Sequence, residues 1–252
     1  MSDTFPDVSD SIAPARRPLV VAIDGPAASG KSSTAQWVAE RLGVHHVDSG
    51  ALYRAATAVA LRSARPPEGW DEAFVLARCA AVTLAPGSHS FVPLIGGAPV
   101  DEELRGAEVT RHVSRVARMP GVRGWVNERV RRTAERHDVV VDGRDIGTVV
   151  FPEADVKIFL VADPWERARR RLVQRLGRRP ADEEIAEETE RIVQRDARDA
   201  TQTVQAADAV LIDTTYLTQP EQVERIVALA RAVVRGVARD DEETPSRSID
   251  ER

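Results

Sequence analysis

The segment from Gly25 to Ser32 constrains the fold of this chain more than any other segment does. It reads GPAASGKS and fits the pattern G-x-x-x-x-G-K-[ST]. The apolar run LVVAID comes directly before it, and AQWVAERLG, whose apolar residues recur three or four positions apart, follows it. In the order strand, loop, helix, this pattern folds as a loop whose backbone N–H groups face a phosphate. The sequence therefore predicts a strand–loop–helix unit that binds an anion.

Other apolar runs alternate with helical patterns along the chain. Four runs do not alternate with polar residues, which predicts strands buried on both faces: 19–23, 139–141, 156–161 and 209–212. Four segments have helical spacing: 35–42, 128–137, 164–176 and 222–237. Because repeated strand–helix units pack side by side, we predict an α/β fold with a central parallel sheet flanked by helices.

Residues 64–107 interrupt this alternation. They contain short apolar stretches separated by Gly and Pro turns, which predict small antiparallel strands, and we interpret them as an inserted subdomain. The core then comprises residues 18–63 and 108–238. Residues 1–17 and 239–252 are polar and lack periodicity, so we predict a disordered tail at each end, the second of them acidic.

Charge and cysteine content exclude several classes of protein. The formal net charge of −5 gives no general attraction to nucleic acid or to anionic lipid. The single cysteine, Cys79, has no partner for an internal disulfide, so we expect it to pack in the core of a protein in a reducing compartment. The first 18 residues lack a secretory signal, and no apolar run approaches the length of a membrane span. We predict a soluble cytoplasmic protein without nucleic-acid or membrane partners.

Lys31 is one of two lysines in a chain that otherwise uses arginine. A compact ammonium group at this position suits the terminal phosphates of a nucleoside triphosphate, and the Ser32 hydroxyl suits Mg²⁺. The alternative is an ordinary glycine-rich turn with an exposed lysine. The loop residues that we expect to contact the nucleotide are Gly25, Pro26, Ala27, Ala28, Ser29, Gly30, Lys31, Ser32 and Ser33. A GTPase is disfavoured because the only asparagine, Asn127, is not followed by lysine.

Two further segments predict a second anion site opposite the loop. In VDSGALYR, Ser49 is placed to cap a helix from which Arg54 projects. In VVVDGRDIGTVVF, a buried strand ends at Asp142, and Arg144 and Asp145 follow at the edge where open α/β sheets bind ligands. Arginine suits phosphate because its guanidinium group donates two hydrogen bonds at once. The alternative is a structural ion pair between Arg144 and Asp145.

These segments resemble the signature segments of bacterial cytidylate kinases. The resemblance is carried by IDGPAASGKSS, DSGALYR and DGRDIGTVVFPEADVKIFL, and it runs from about Leu19 to Val234. It implies a P-loop nucleoside monophosphate kinase with an insert at 64–107 that binds the monophosphate and an arginine-rich lid at about 165–200. It implies transfer of the γ-phosphoryl group of ATP to CMP or dCMP with Mg²⁺. We expect a monomer.

The resemblance also assigns roles to individual residues. It places Ser49, Arg54 and Arg144 near the acceptor phosphate, with Lys31, Arg54 and Arg144 acting in catalysis. It places Ser114, Arg123 and Asp145 around the cytosine ring, and Arg195 and Asp199 near the ribose. A carboxylate at 145 accepts a hydrogen bond from the amino group of cytosine, which uracil lacks, so CMP is expected to be preferred over UMP. From the residues alone, Ser114 and Arg123 would be read as an exposed helix face.

Gln202 departs from the family pattern, which usually has another arginine for the acceptor phosphate there, and the connection that follows is shorter than usual. Either Arg198 or a lid arginine takes over this contact, or the acceptor binds more weakly. We interpret the basic segment 167–180 as a lid with a core face at Leu172 and Leu176, and not as a nucleic-acid helix. The resemblance implies that some lid arginines reach ATP phosphates, the candidates being Arg167, Arg171, Arg175 and Arg178.

The acceptor phosphate is already ionised at neutral pH, so the chemistry needs no strong general base. The pair His45 and His46 is accordingly interpreted as flanking a strand and not as ligands. Two alternatives stay open. One is a kinase whose acceptor is a hydroxyl compound, as in shikimate-type kinases. The other is a regulatory ATP-binding module whose insert contacts a protein partner.

Overall fold

One eight-stranded sheet organises the computed structural model, which describes residues 17–242 and side chains as far as Arg235. Across the sheet the strands are β3 (Val82–Pro86), β4 (Ser90–Ile95), β2 (His45–Asp48), β6 (Val139–Asp142), β1 (Val20–Asp24), β7 (Val156–Val161) and β8 (Val210–Asp213), and β5 (Ala98–Pro99) pairs with β4. The pairings from β4 through to β8 are parallel, whereas β3 and β5 run antiparallel to β4. The predicted parallel sheet is confirmed.

Helices cover both faces of this sheet. They are α1 (Lys31–Leu42), α2 (Ser49–Leu61), α3 (Glu72–Cys79), α4 (Asp101–Leu104), α5 (Ala107–Val116), α6 (Pro120–Thr133), α7 (Pro164–Leu176), α8 (Asp182–Asp199) and α9 (Gln219–Glu242). Successive residues of β1 point into opposite layers: Ala22 packs among α2, α3, α5 and α6, and Val21 packs against α1 and α9. The central strands are therefore buried on both faces, as their continuous apolar runs predict. Cys79 lies in the first of these layers.

Several local predictions are wrong. The run at 209–212 forms β8 at the sheet edge, where Val210 and Leu211 stay 43% and 54% exposed, so this strand is not buried on both faces. His45 and His46 lie within β2 and do not flank it. Leu172 is buried, but Leu176 is 38% exposed because it ends α7, beyond the small core that α7 forms with α8.

The segment 64–107 contains the expected antiparallel strands, β3 and β4, and β4 also joins the main sheet by pairing parallel to β2. The final helix continues to Glu242, four residues into the predicted acidic tail. Residues 1–16 and 243–252, the remainder of the two predicted tails, lie outside the described residues. No described helix is both long enough and apolar enough to cross a lipid bilayer.

Candidate active site

The loop between β1 and α1 has a backbone that only glycine allows at two points. Gly25 has φ +149°, and a Cβ built on it would lie 2.1 Å from the carbonyl oxygen of Leu160. Gly30 has φ +90° and comes directly before α1. Ala28 adopts a left-handed φ of +58° and packs against the core between α7 and α8. The loop therefore wraps around the N-terminus of α1, where unpaired N–H groups and the helix dipole favour an anion.

Lys31 folds back over this loop. Its Nζ donates to the carbonyl oxygen of Pro26 at 2.6 Å and lies 3.5 Å from Ser29 Oγ. Burial and the nearby positive charge of Arg144 lower the pKa of Lys31 to about 8. Desolvation and a neighbouring cation both destabilise the charged form of this lysine, and a bound polyanion would stabilise it. The predicted strand–loop–helix unit is thus present.

Ser32 and Asp142 bring two oxygen ligands together beside the loop. Ser32 Oγ donates to Asp142 Oδ2 at 2.6 Å, and Asp142 Oδ1 lies 2.7 Å from His46 Nε2. Among the described residues no group of three or more His, Cys, Asp or Glu side chains could hold a metal. Mg²⁺ keeps water and phosphate oxygens and takes few protein ligands, so a serine hydroxyl next to a carboxylate fits this ion.

Asp24, at the end of β1, fastens the turn after β6. Its Oδ1 and Oδ2 accept hydrogen bonds from the N–H groups of Ile146 at 2.8 Å and Gly147 at 2.7 Å, where Ile146–Val150 forms a short π-helical turn. Burial raises the pKa of Asp24 to about 6, although these two hydrogen bonds act in the opposite direction. The phosphate-binding loop and the segment that carries Arg144 and Asp145 are thereby fixed to each other.

A cluster of arginines lies near Lys31. Arg144 Nη2 pairs with Asp199 Oδ2 at 2.8 Å, and Arg195 Nε lies 3.6 Å from the same oxygen. Burial and the charge of Arg144 lower the pKa of Arg195 to about 10, with smaller contributions of the same sign from Arg54 and Arg171. We call Arg54, Arg144, Arg171 and Arg195 the arginine cluster.

The arginine cluster has unused hydrogen-bonding capacity. Among the described residues, Arg144 Nη1 and Arg195 Nε are buried donors without a hydrogen-bond partner. Buried polar groups of this kind are rare in folded proteins because each costs about 1–3 kcal/mol. A phosphate group would satisfy these donors and neutralise the mutual repulsion of the cations, so the cluster has the chemistry of a second anion site.

Arg123 and Asp145 form a separate ion pair beside this cluster. Arg123 Nη2 donates to Asp145 Oδ2, and Arg123 Nη1 donates to the side-chain oxygen of Gln202 at 3.1 Å. Since Arg144 pairs with Asp199, the alternative of an ion pair between Arg144 and Asp145 is wrong.

Ser49 differs from its predicted place. The side chain that caps α2 is Asp48, whose Oδ1 accepts from the N–H of Ala51 at 3.1 Å, so the prediction of Ser49 as the cap is wrong. Ser49 is the first residue of the helix, and its Oγ donates to the carbonyl oxygen of Asp142 at 2.7 Å. Ser114 lies half-buried on α5, and no described contact joins it to the other predicted residues.

The four arginines predicted to reach the ATP phosphates are all paired with carboxylates. Arg171 and Arg175 approach Glu188 at 3.0 and 3.7 Å, and Arg178 approaches Glu184 at 2.7 Å. Arg167 is 4% exposed, and its Nη1 donates to Asp196 and to the carbonyl oxygen of Ala27 in the loop. Its contacts are therefore structural.

Arg198 does not replace an arginine at position 202. It is exposed, and its Nε donates to the carbonyl oxygen of Gln194, one turn earlier in the same helix. Arg171 is the lid arginine within electrostatic reach of Arg195. Arg171 is itself paired with Glu188 at 3.0 Å, so a replacement by a lid arginine and weaker binding of the acceptor both stay open.

A cavity of about 640 Å³ opens beside the loop and was not predicted from the sequence. Its lining includes Thr34, Trp165, Arg169, Tyr216 and Gln222. Trp165 and Tyr216 are 41% and 96% exposed. They follow the neighbouring strands β7 and β8, so an aromatic residue just after each strand was the signal that could have located this cavity.

Known proteins are similar to this chain over most of its length, including the segments that form the site. The family model for cytidylate kinase matches residues 21–232. A cytidylate kinase of Limosilactobacillus fermentum is 44% identical over 82% of this chain and 93% of its own length, and one of Geobacillus kaustophilus is 44% identical over 85% and 97%. A bifunctional pantoate ligase/cytidylate kinase of Synechococcus sp. is 41% identical over 94% of this chain, which spans 45% of that relative.

Proposed function

Because this chain belongs to the cytidylate kinase family, we propose that its glycine-rich loop holds ATP and its arginine cluster holds the phosphate of the acceptor. The enzyme transfers the γ-phosphoryl group of ATP to CMP or dCMP, giving ADP and CDP or dCDP. The observation that carries the assignment of sites is the pair of buried, unpartnered donors on Arg144 and Arg195, close enough to Lys31 for Arg144 to depress its pKa.

The reaction that this site supports is an in-line displacement. An oxygen of the CMP phosphate forms a bond to the γ-phosphorus, the bond from that phosphorus to the bridging oxygen of ADP breaks, and no proton has to be removed from the nucleophile. Lys31 and Arg144 neutralise charge on the oxygens around the transferred group. When bound, Mg²⁺ would supply further charge neutralisation and alignment of the phosphates. Ser32 would hold it, and Asp142 would hold Ser32 or a water of the ion.

The remaining assignments concern the two bases and the acceptor nucleotide. Asp145 accepts a hydrogen bond from the amino group of cytosine, and Arg123 holds the carboxylate in place. The family pattern implies Ser49 near the acceptor phosphate, Ser114 near the cytosine ring and Asp199 near the ribose. It also implies Arg195 near the ribose, but we assign Arg195 to the phosphate because its Nε is a buried donor beside Arg144. The cavity between Trp165 and Tyr216 takes the base of ATP, because it adjoins the loop and offers aromatic faces for stacking.

We also propose the segment 64–107 as the part that closes over the monophosphate and residues of about 165–200 as the lid over ATP. The buried free thiol of Cys79 supports a reducing compartment such as the cytoplasm. A monomeric state without nucleic-acid partners stays a prediction.

The test is a coupled assay of ADP formation with ATP and each of CMP, dCMP, UMP and AMP. We expect kcat/KM for CMP or dCMP to exceed that for UMP and AMP by at least about a hundredfold, since uracil lacks the amino group that Asp145 accepts from, and adenine, although it has an amino group, is a larger base that places it differently. Equal turnover of UMP would overturn the role of Asp145. Turnover that persists in an Arg54→Ala, Arg144→Ala double variant would overturn the acceptor site.

A further inference from the structure

Gln202 connects the end of the lid helix α8 to the ion pair between Arg123 and Asp145. It lies in the turn that follows Asp199, where its N–H donates to the carbonyl oxygen of that residue at 2.9 Å. Its side chain is half-buried and accepts from Arg123 Nη1 at 3.1 Å. The other nitrogen of the same guanidinium group, Nη2, holds Asp145. A continuous hydrogen-bonded chain thus runs from position 202 to the carboxylate at 145.

Two acceptors bind Nη1 of Arg123 and fix the plane of its guanidinium group. Nη1 donates to Gln202 and, at 3.2 Å, to the carbonyl oxygen of Ala117, and the guanidinium carbon lies 5.9 Å from the centre of the Tyr53 ring. A guanidinium group is rigid, so fixing Nη1 also fixes the direction in which Nη2 presents its hydrogens. Without Gln202, the Ala117 carbonyl would be the one remaining acceptor for Nη1 among these contacts, and the orientation of Asp145 would be less defined.

The chemistry of a neutral amide suits this position. The arginine cluster already places several cations in the acceptor site, and Arg123 adds another beside them. A positively charged side chain at 202 would meet Arg123 head to head, whereas the glutamine oxygen accepts a hydrogen bond from it. The glutamine at this position therefore makes a contact with Arg123 that an arginine could not make.

We infer that Gln202 is a positioning residue that sets the specificity for the acceptor base, by holding Arg123 and through it Asp145. It acts on the base side, while Asp199, three residues earlier in the chain, pairs with Arg144 of the arginine cluster. Both contacts come from the same end of α8, so movement of the lid helix and recognition of the base are linked. The inference rests on the proposed role of Asp145 as the residue that reads cytosine.

The experiment compares steady-state kinetics of Gln202→Leu and Gln202→Glu with the wild type, using ATP with CMP and with UMP. Leucine removes the acceptor oxygen at similar size, and glutamate retains it. For Gln202→Leu we expect a roughly tenfold rise in KM for CMP, as for the loss of a hydrogen bond to a charged group, with kcat and KM for ATP changed by less than about threefold. The ratio of kcat/KM between CMP and UMP should fall about fivefold or more, and Gln202→Glu should retain most of it.

The matched control is Gln205→Leu, in the same connection, because Gln205 is exposed and its side chain donates to the carbonyl oxygen of Ala209. We expect wild-type kinetics from it. A Gln202→Leu variant with an unchanged ratio, or with KM for ATP and CMP raised alike, overturns the inference. So does a Gln202→Arg variant that binds CMP more tightly, since position 202 would then act on the phosphate.

Asp145→Asn separates this inference from the proposed function. If Asp145→Asn abolishes the preference for CMP and Gln202→Leu leaves it intact, the role of Gln202 alone is wrong. If neither variant changes the preference, the assignment of Asp145 to the base is wrong as well.

Discussion

Lys31 lies where its own charge is unfavourable, and this has a measurable consequence. Burial and Arg144 lower its pKa to about 8 in the free protein, so the ammonium form that binds phosphate is lost as the pH rises through that value. We expect kcat/KM for ATP to decline above about pH 8, because this ratio reports the ionisation of the free enzyme. The profile of kcat should decline only at higher pH, since bound phosphates favour the charged lysine.

The free energy of unfolding of the unliganded protein should rise with pH in the range where kcat/KM for ATP declines. A lysine whose pKa is about 8 in the folded state, below its usual 10.5, destabilises the fold in full below about pH 8, and this penalty decreases progressively as the pH rises from about 8 to 10.5. Lys31→Arg keeps its charge at all these pH values, so its decline in kcat/KM near pH 8 should be absent, although its turnover will be lower. A decline that is retained in Lys31→Arg would assign the ionisation to another group.

Lys31→Ala should lose several orders of magnitude in turnover with an intact fold.

Arg144 should be required for CMP to stabilise the protein. Its buried Nη1 has no hydrogen-bond partner among the described residues, and a bound phosphate would supply one. We expect CMP to raise the Tm of the wild type. Arg144→Met should lose most of this rise, because the loss of a charge-assisted pair with the phosphate lowers the affinity for CMP by roughly thirtyfold or more. The rise produced by ATP should persist. The control is Arg132→Met, an exposed arginine of α6 paired with the exposed Glu128. A full CMP-dependent rise in Arg144→Met contradicts the account.

At the scale of the elements, α7 and α8 are hydrogen-bonded to the backbone of Ala27 in the glycine-rich loop, and Ala28 packs against the core between them. Its carbonyl oxygen accepts from Arg167 Nη1 at 2.8 Å, and its N–H donates to Asp196 Oδ1 at 3.2 Å. Arg167 and Asp196 also pair with each other at 2.6 Å. The two helices thus hold both backbone groups of Ala27, and the conformation of the loop depends on them.

Removing Arg167 should therefore affect both stability and ATP binding. In Arg167→Met the half-buried carboxylate of Asp196 and the carbonyl oxygen of Ala27 lose the buried guanidinium group between them, so we expect the free energy of unfolding to fall by about 3 kcal/mol and KM for ATP to rise. Urea unfolding and steady-state kinetics measure the two effects. Arg132→Met, whose pair with Glu128 is exposed, should change the free energy of unfolding by less than about 1 kcal/mol. Equal, small effects of both variants would show that the contact with Ala27 is not required.

The sequence could predict that α7 exists but not which of its arginines is buried. Arg167, Arg169 and Arg171 stand in one run and are equivalent by composition. Arg167 is buried because Asp196, 29 residues further along the chain, faces it across the pair of helices. Local patterns likewise predicted β8 as a strand but not its place at the sheet edge, because exposure depends on which strand has only one neighbour.

At the scale of the whole molecule, the site is assembled by the order of the parallel strands. β2, β6 and β1 are neighbours, so Asp48, Asp142 and Asp24 end at one edge of the sheet, together with the loop and the turn that follow them. The predicted segments could be placed at this edge because each follows a strand, and the carboxyl ends of parallel strands meet there. The contacts of His46 with Asp142 and of Gln202 with Arg123 join residues 96 and 79 positions apart, and no local pattern reports them.

The central claim is that two anion sites face each other at this edge, one built on the loop around Lys31 and the other on the arginine cluster. The most direct test is a crystal structure of the protein with CMP and a non-hydrolysable ATP analogue. We predict the triphosphate in the loop and the CMP phosphate in contact with Arg54, Arg144 and Arg195. A CMP phosphate bound elsewhere, with Arg144 still paired only to Asp199, would contradict the account.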